Sequence, residues 1–244
     1  MLALKNRPTI CIYTAIYGDY DDLKEQPRQT LDCDFLCFTD NSSVQARGWE
    51  VAYRPGAPEM HPRMQAKYYK LMNHKIFAPP RRWWPFNGGT GRRRYDFTIW
   101  IDGSVRLKSE SFVEEMIGFL GKYGMAMFVH PERDCIYAEA QVCLHPDFLK
   151  YRGLPIREQV ESYKFEGYPE HNGLMAAGLI LRDMRRRELH QINEDWWQEN
   201  LRWTYQDQLS LPYVLWKNSY GYDPINLNLW GNHLFDLTAH HSDS

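Results

Sequence analysis

Along the chain, apolar residues gather in short continuous runs that stop at polar or glycine-containing turns. Residues 9–16 (TICIYTAI) are β-branched and apolar, and Tyr17-Gly18-Asp19-Tyr20 follows as a turn. That pattern predicts a buried first strand ending in a functional loop. Residues 33–39 (CDFLCFT) repeat it and close on Asp40-Asn41-Ser42, and 49–53 form a third run that halts at Arg54-Pro55-Gly56. A fourth run, 96–101 (DFTIWI), leads directly into Asp102-Gly103-Ser104, and 125–130 (MAMFVH) is a fifth, followed by a polar segment over 131–140. Residues 173–181 (GLMAAGLIL) are small and apolar, and strand-like at their end. Short strands delivered into polar loops are the mark of an α/β fold.

Helical spacing covers 62–77, 110–120, 183–202 and 204–217, with helical pieces over 145–165 broken at Gly153 and Pro155. In the first of these, Pro62 stands in the opening turn and Pro79-Pro80 lie beyond the end. Arg63, Lys67, Lys70 and His74 fall at steps of four, three and four, so they share one side, while Met64, Tyr68 and Leu71 line another. The result is a basic ridge beside an apolar face. Residues 79–95 (PPRRWWPFNGGTGRRRY) form a loop long enough to serve as a lid, and their Gly88-Gly89-Thr90-Gly91 lacks the spacing and terminal Lys-Ser/Thr of a phosphate loop. No repeat and no linker divides the chain. One domain over 1–244 is expected, an α/β unit with a mixed, mostly parallel central sheet flanked by helices.

Composition narrows the function. With 16 glycines and 14 prolines in 244 residues, the chain is neither low-complexity nor collagen-like, which excludes disorder as its dominant state. Aromatic residues make up 15%, an excess of amphipathic rings able to fill a core or stack on flat or pyranose-like ligands. The balance of 29 basic and 31 acidic residues argues against a dedicated nucleic-acid binder. Arginines nevertheless cluster at 81–82, 92–94 and 185–187, which leaves a local anionic ligand open beside the plainer reading as solvated faces. Five cysteines (Cys11, Cys33, Cys37, Cys135, Cys143) cannot all pair within one chain and form no C-x-x-C, so reduced, mostly buried thiols are expected. No stretch approaches the roughly 18 apolar residues of a membrane span. A soluble, cytoplasmic protein is the expectation.

The sharpest chemical signal is Asp102, carried to the carboxyl end of a hydrophobic strand, where open α/β sheets bind ligands. A carboxylate there can hold a hard divalent cation that bridges diphosphate oxygens and offsets charge as a nucleotide leaves. An ordinary strand-end aspartate in a turn is the competing explanation.

At this point the order of motifs resembles the GT-A glycosyltransferases, nucleotide-sugar enzymes with a Rossmann-like sheet. In particular it is similar to the bacterial, viral and plant glycosyltransferase-like family related to plant mucilage-associated proteins. The resembling stretches are IYTAIYGDYD at 12–21, FLCFTDN at 35–41, HPRMQAKYYKL at 61–71, TIWIDGS at 98–104, AAGLILR at 176–182 and YQDQLSLPYVLWK at 205–217. More distantly, the chain is similar to the retaining galactosyltransferase and glycogenin group.

The resemblance implies a nucleotide part over about 1–105 and an acceptor part over about 106–244. It implies that Thr14, Ala15, Tyr17 and Asp40 frame the nucleoside, and that Arg63 and Lys67, with Lys70 on the same ridge, meet the base or diphosphate. Asp102-Gly103-Ser104 stands where the family pattern has Asp-any-Asp. The second carboxylate is missing, so a Mn2+ or Mg2+ ion would be held weakly, by Asp102 and Ser104 with His233 as a further ligand. Asp207 is the implied acceptor-side acid, either taking a proton from a hydroxyl or positioning it and steadying positive charge, with a helix N-cap as the plainer role. Glu139 is the second candidate acid or base. His171, Asn172 and Gly173 would form a floor beneath the sugar, Gln208 would line the acceptor side, and Trp83 or Trp84 would stack on the acceptor.

The expected function is transfer of a hexose or related sugar from a nucleotide donor, a uridine diphosphate sugar, to a hydroxyl of a glycan. Hydroxylated bases in phage DNA are an alternative acceptor, for which steep salt dependence would be the sign. A nucleotide-sugar or carbohydrate-binding module without turnover is the competing class. A metal-dependent nucleotide hydrolase would want more clustered His and acidic ligands than the chain holds.

Overall fold

The structure, a computed structural model, describes residues 7–77 and 95–238. Seven strands form one sheet in the order β3-β2-β1-β4-β7-β6-β8. They are β1 (Ile10–Ile16), β2 (Asp34–Thr39), β3 (Glu50–Tyr53), β4 (Phe97–Ile101), β6 (Met125–Val129), β7 (Met175–Asp183) and β8 (Asp223–Ile225). A two-stranded ribbon pairs β5 (Val105–Leu107) with β9 (Phe235–Leu237). In the large sheet only β7 runs against its neighbours; β3, β2, β1 and β4 are mutually parallel, and β8 is parallel to β6. This is the mixed, mostly parallel sheet of a GT-A-like domain.

Alternation along the strands explains why both faces are covered. Tyr13, Trp100 and Ile180 point to one side, where they join Leu71, Trp196, Leu209 and Leu211. Ile12, Ile99 and Leu181 point to the other and pack with Phe112, Val113 and Met116. Strands buried on both faces read as continuous apolar runs, as residues 10–16 and 97–101 do. The first layer of helices comprises α1 (Pro62–Leu71), α2 (Asn73–Ile76), α4 (Ile136–Cys143), α5 (Ile156–Phe165), α6 (Glu188–Arg202) and α7 (Asp207–Lys217), and α3 (Phe112–Gly118) covers the opposite face. No helix among the described residues is long and apolar enough to cross a membrane. The five cysteines are free thiols, four of them buried, as the sequence suggested.

Three sequence expectations change. The helix expected over 62–77 breaks at Met72, where Asn73 turns into the core, donates to Thr98 Oγ1 at 3.0 Å and accepts from Asn193 at 2.9 Å. The segment 131–140, expected to be merely polar, contains the start of α4, whose buried residues Ile136, Glu139, Ala140 and Cys143 follow helical spacing. The carboxylate at 139 hid that stripe. β7 is longer than its apolar run and carries a register shift opposite Met127 and Phe128, a bulge beside the end of β4.

Candidate active site

β4 ends by presenting Asp102, whose backbone N–H bonds the Gly178 carbonyl at 2.8 Å on the bulged part of β7. Trp100, two residues earlier and therefore on the same face, donates its indole N–H to Asp102 Oδ1 at 2.6 Å. A Cβ at Gly178 would lie 3.4 Å from Asp102 Oδ2, so the small residue leaves the carboxylate room. Gly103 is required for a different reason. A Cβ there would meet Asp21 Oδ2 at 2.6 Å, and the Lys24 ammonium donates to the Gly103 carbonyl at 2.8 Å. The loop after β1 is thus pressed against the aspartate turn.

The cationic side chains arrive from α1. His61 caps this helix by accepting the Arg63 N–H, and Pro62 fixes its first turn. Lys67 and Lys70, one turn apart, both place Nζ 2.6 Å from Asp207 Oδ2, and Lys70 Nζ is also 3.3 Å from Asp102 Oδ1. Lys70 is 1% exposed and Asp207 4%. Burial would raise the pKa of Asp207, but the two ammonium groups outweigh it and hold the carboxyl down at about 2. Burial likewise works against the charge of Lys70, and Asp102 with Asp207 overcome it, so its pKa is raised. For Lys67 burial wins, helped by repulsion from Lys70, and its pKa is lowered. Two cations and two carboxylates therefore meet at the end of β4, with Asp102 about one third exposed and Lys67 partly so.

The structure thus joins four of the expected residues, Asp102, Lys67, Lys70 and Asp207, from three distant segments. Asp207 is the first residue of α7, one position inside its Gln206 N-cap, so it is not the cap. A carboxylate with a pKa near 2 is a weak proton acceptor at neutral pH, and the arrangement favours the second of its two expected roles, that of counter-ion and positioner. Arg63 is engaged by aromatic rings, with its guanidinium 3.9 Å over the Tyr20 ring and 5.7 Å from the Tyr205 ring. His74 turns away to Glu194 and stacks on His190.

Thr14, Ala15 and Tyr17 are buried within β1 and its exit; Tyr17 stacks on Tyr69 and donates to the Arg54 carbonyl. Asp40 accepts the Gly18 N–H. Gly18 has φ +66°, and a Cβ there would come 2.8 Å from Pro62, so this turn lies directly over the start of α1. Glu139 is buried, accepting from Arg133 Nε at 2.7 Å and from Gln206 at 3.2 Å. It braces the residue before Asp207. Gln208 donates to the Met175 carbonyl, tying α7 to β7. His171 and Asn172 are exposed just before β7 and bond Asp134 and Tyr168, and Gly173 has φ +86°. Trp83 and Trp84, with the arginines at 81–82 and 92–94, lie outside the described residues.

The donor set at Asp102 does not fit a divalent cation. Its Oδ1 already receives the Trp100 N–H and faces a full positive charge on Lys70. Ser104 is buried, with its carbonyl bound to Thr238, and His233 bonds Glu115 of α3 at 2.6 Å. Among the described residues no three His, Cys, Asp or Glu side chains are grouped to hold a metal ion. The cations at the end of β4 are instead the protein's own, Lys67 and Lys70, balanced there by Asp102 and Asp207.

A family model for the TOD1/MUCI70 glycosyltransferase-like domain matches residues 3–240. The chain belongs to that family. No curated protein matches it. Membership accords with the sheet order and with a polar cluster at the carboxyl end of β4, and gives the chain a transferase role in general terms.

Within this glycosyltransferase-like domain, several contributors escaped the sequence reading. Trp100 was readable in principle, since residues two apart on a strand share a face. Asp21 and Lys24 carried no signal, because their proximity to Gly103 follows only from the path of the loop. A cleft of about 720 Å3, lined by Arg28, Gln29, Cys33 and Trp49 among others, opens at the amino ends of β2 and β3, the far end of the sheet from Asp102. It does not belong to this site.

Proposed function

We propose that the protein transfers a sugar, a hexose, from a uridine diphosphate donor to a hydroxyl of a glycan, with Lys67 and Lys70 in the place a metal ion would take. The observation that carries this reading is the pair of ammonium groups held on Asp207 beside Asp102. As the bond from C1 of the sugar to the diphosphate breaks, negative charge grows on the leaving oxygen. Fixed cations in a water-poor site stabilise that charge without reorganising. Asp207 keeps both lysines pointed at one place, and the loop over residues 17–22 with Asp40 offers polar groups to the nucleoside. The proposal extends to a diphosphate that draws the ammonium groups partly off Asp207.

The same closed cluster favours one alternative, a nucleotide-sugar binding module without turnover. Calorimetric titration of uridine diphosphate into the protein, with EDTA and separately with manganese, tests the donor site. Binding is expected to persist in EDTA and to weaken at least tenfold in Lys67→Gln. Absence of binding in both conditions, or binding that needs manganese, overturns the assignment. Hydrolysis of uridine diphosphate sugars by the same preparation separates enzyme from module.

A further inference from the structure

The carboxyl ends of β6 and β8 frame a shallow, open groove of about 540 Å3 lined by His130, Glu132, Asn226, Asn228 and Trp230 among others. It is on the same edge of the sheet as Asp102, because β4, β6 and β8 all run in one direction. Two strand spacings separate β4 from β6, and β6 reaches Met175 on β7, whereas β4 stops opposite Leu179. At about 4.8 Å between strands and 3.3 Å per residue, the groove begins roughly 10–15 Å from Asp102. That is the span of a short oligosaccharide.

Residues 225–230 alternate strictly in burial. Ile225, Leu227 and Leu229 turn inward and pack with the second core, while Asn226, Asn228 and Trp230 are exposed. Trp230 is 64% exposed. This exposure belongs to a fixed turn. Asn228 Oδ1 accepts the Trp230 N–H, Asn232 Nδ2 donates to the Asn228 carbonyl at 2.9 Å, and Asn232 Oδ1 accepts from Leu234 and Phe235. An indole face held outward between carboxamides suits a ligand with an apolar ring face and rim hydroxyls. Neither lysine nor arginine is among the residues that line the groove, and its one carboxylate, Glu132, is paired with Arg133 at 2.8 Å, so the lining offers no unpaired cation to a phosphate backbone.

We propose that this groove is a remote acceptor subsite, holding a neutral saccharide chain by stacking on Trp230 while the chain's reactive end lies near Asp102. The assignment as an acceptor subsite rests on the transferase reading above; saccharide binding by the groove does not. The test is an array of immobilised neutral and acidic oligosaccharides, probed with the full chain and with Trp230→Ala and Trp230→Phe. Trp230 is exposed and outside the donor cluster, so both variants should fold and bind uridine diphosphate as the parent does.

Retention of neutral oligosaccharides of four or more units is expected, weakened at least tenfold in Trp230→Ala and largely restored in Trp230→Phe. The proposal is overturned if no neutral oligosaccharide is retained, or if retention is unchanged in Trp230→Ala. Tighter binding of a single-stranded DNA oligonucleotide than of any oligosaccharide, lost in Trp230→Ala, also overturns it. Uridine diphosphate binding is read on the same samples. Failure of that binding with a Trp230-dependent saccharide signal would sink the donor assignment and leave the groove standing, and the reverse pattern would sink the groove alone.

Discussion

Replacing Asp207 with asparagine removes one negative charge from a site where two ammonium groups each lie 2.6 Å from a single carboxylate oxygen. Because Asp207 is 4% exposed, little solvent screening softens the loss. Its pKa falls from 3.8 to about 2 on folding, and at about 1.4 kcal/mol per unit this linkage corresponds to about 2–3 kcal/mol at neutral pH. Removing one member of a buried ion cluster adds the cost of stranding its partners, which puts the expected destabilisation at about 3–5 kcal/mol. For a chain of this length that is a fall in Tm of roughly 6–20 °C.

The pH dependence gives a sharper test than the size. A carboxyl with a depressed folded pKa contributes stability that is fully present above its unfolded value of 3.8 and is lost as pH falls through about 2. Urea unfolding of the parent and Asp207→Asn should therefore differ by a constant amount from pH 7 to about pH 5 and converge progressively as pH falls from about 4 to about 2. A difference under about 1 kcal/mol at pH 7, or one that stays constant down to pH 2.5, would refute the claim that Asp207 anchors the lysines.

Two further substitutions probe the frame of the site. Gly103→Ala would force a Cβ to within 2.7 Å of the Asp21 Cβ, and should cost about 1–3 kcal/mol and weaken uridine diphosphate binding; Asp21→Gly in the same chain should recover much of both, as a double-mutant cycle would show. Arg182 is fully buried, donates to Tyr13 at 3.3 Å, and leaves Nε and Nη2 without partners among the described residues, while burial lowers its pKa. Arg182→Met should consequently leave thermal stability unchanged or raise it by up to about 2 kcal/mol, and a clear fall in Tm would mean that the guanidinium is better satisfied than its protein partners indicate.

Much of the fold was legible because its signals are local. The β-branched runs at 10–16 and 97–101 can be strands on any path, and Pro62 opens a helix wherever the chain takes it. The spacing of Lys67 and Lys70 placed both cations on one side of a helix, and Asp102 had to stand at a strand's end. Those facts, with the order of motifs, were enough to suggest a nucleotide-sugar fold.

What tertiary structure alone decided is who meets whom. Asp207, 140 residues from Lys67, reaches it only because α1 and α7 lie on the same face of the sheet, each packed against α6, and no periodicity encodes that distance. The antiparallel course of β7 brings residues 171–173 to the edge where β6 ends. His233 looked like a ligand by its place in the chain, yet the fold gives it Glu115. Charge on a helix face is a property of sequence, but whether that charge is solvated or locked onto a buried carboxylate depends on which element closes over it.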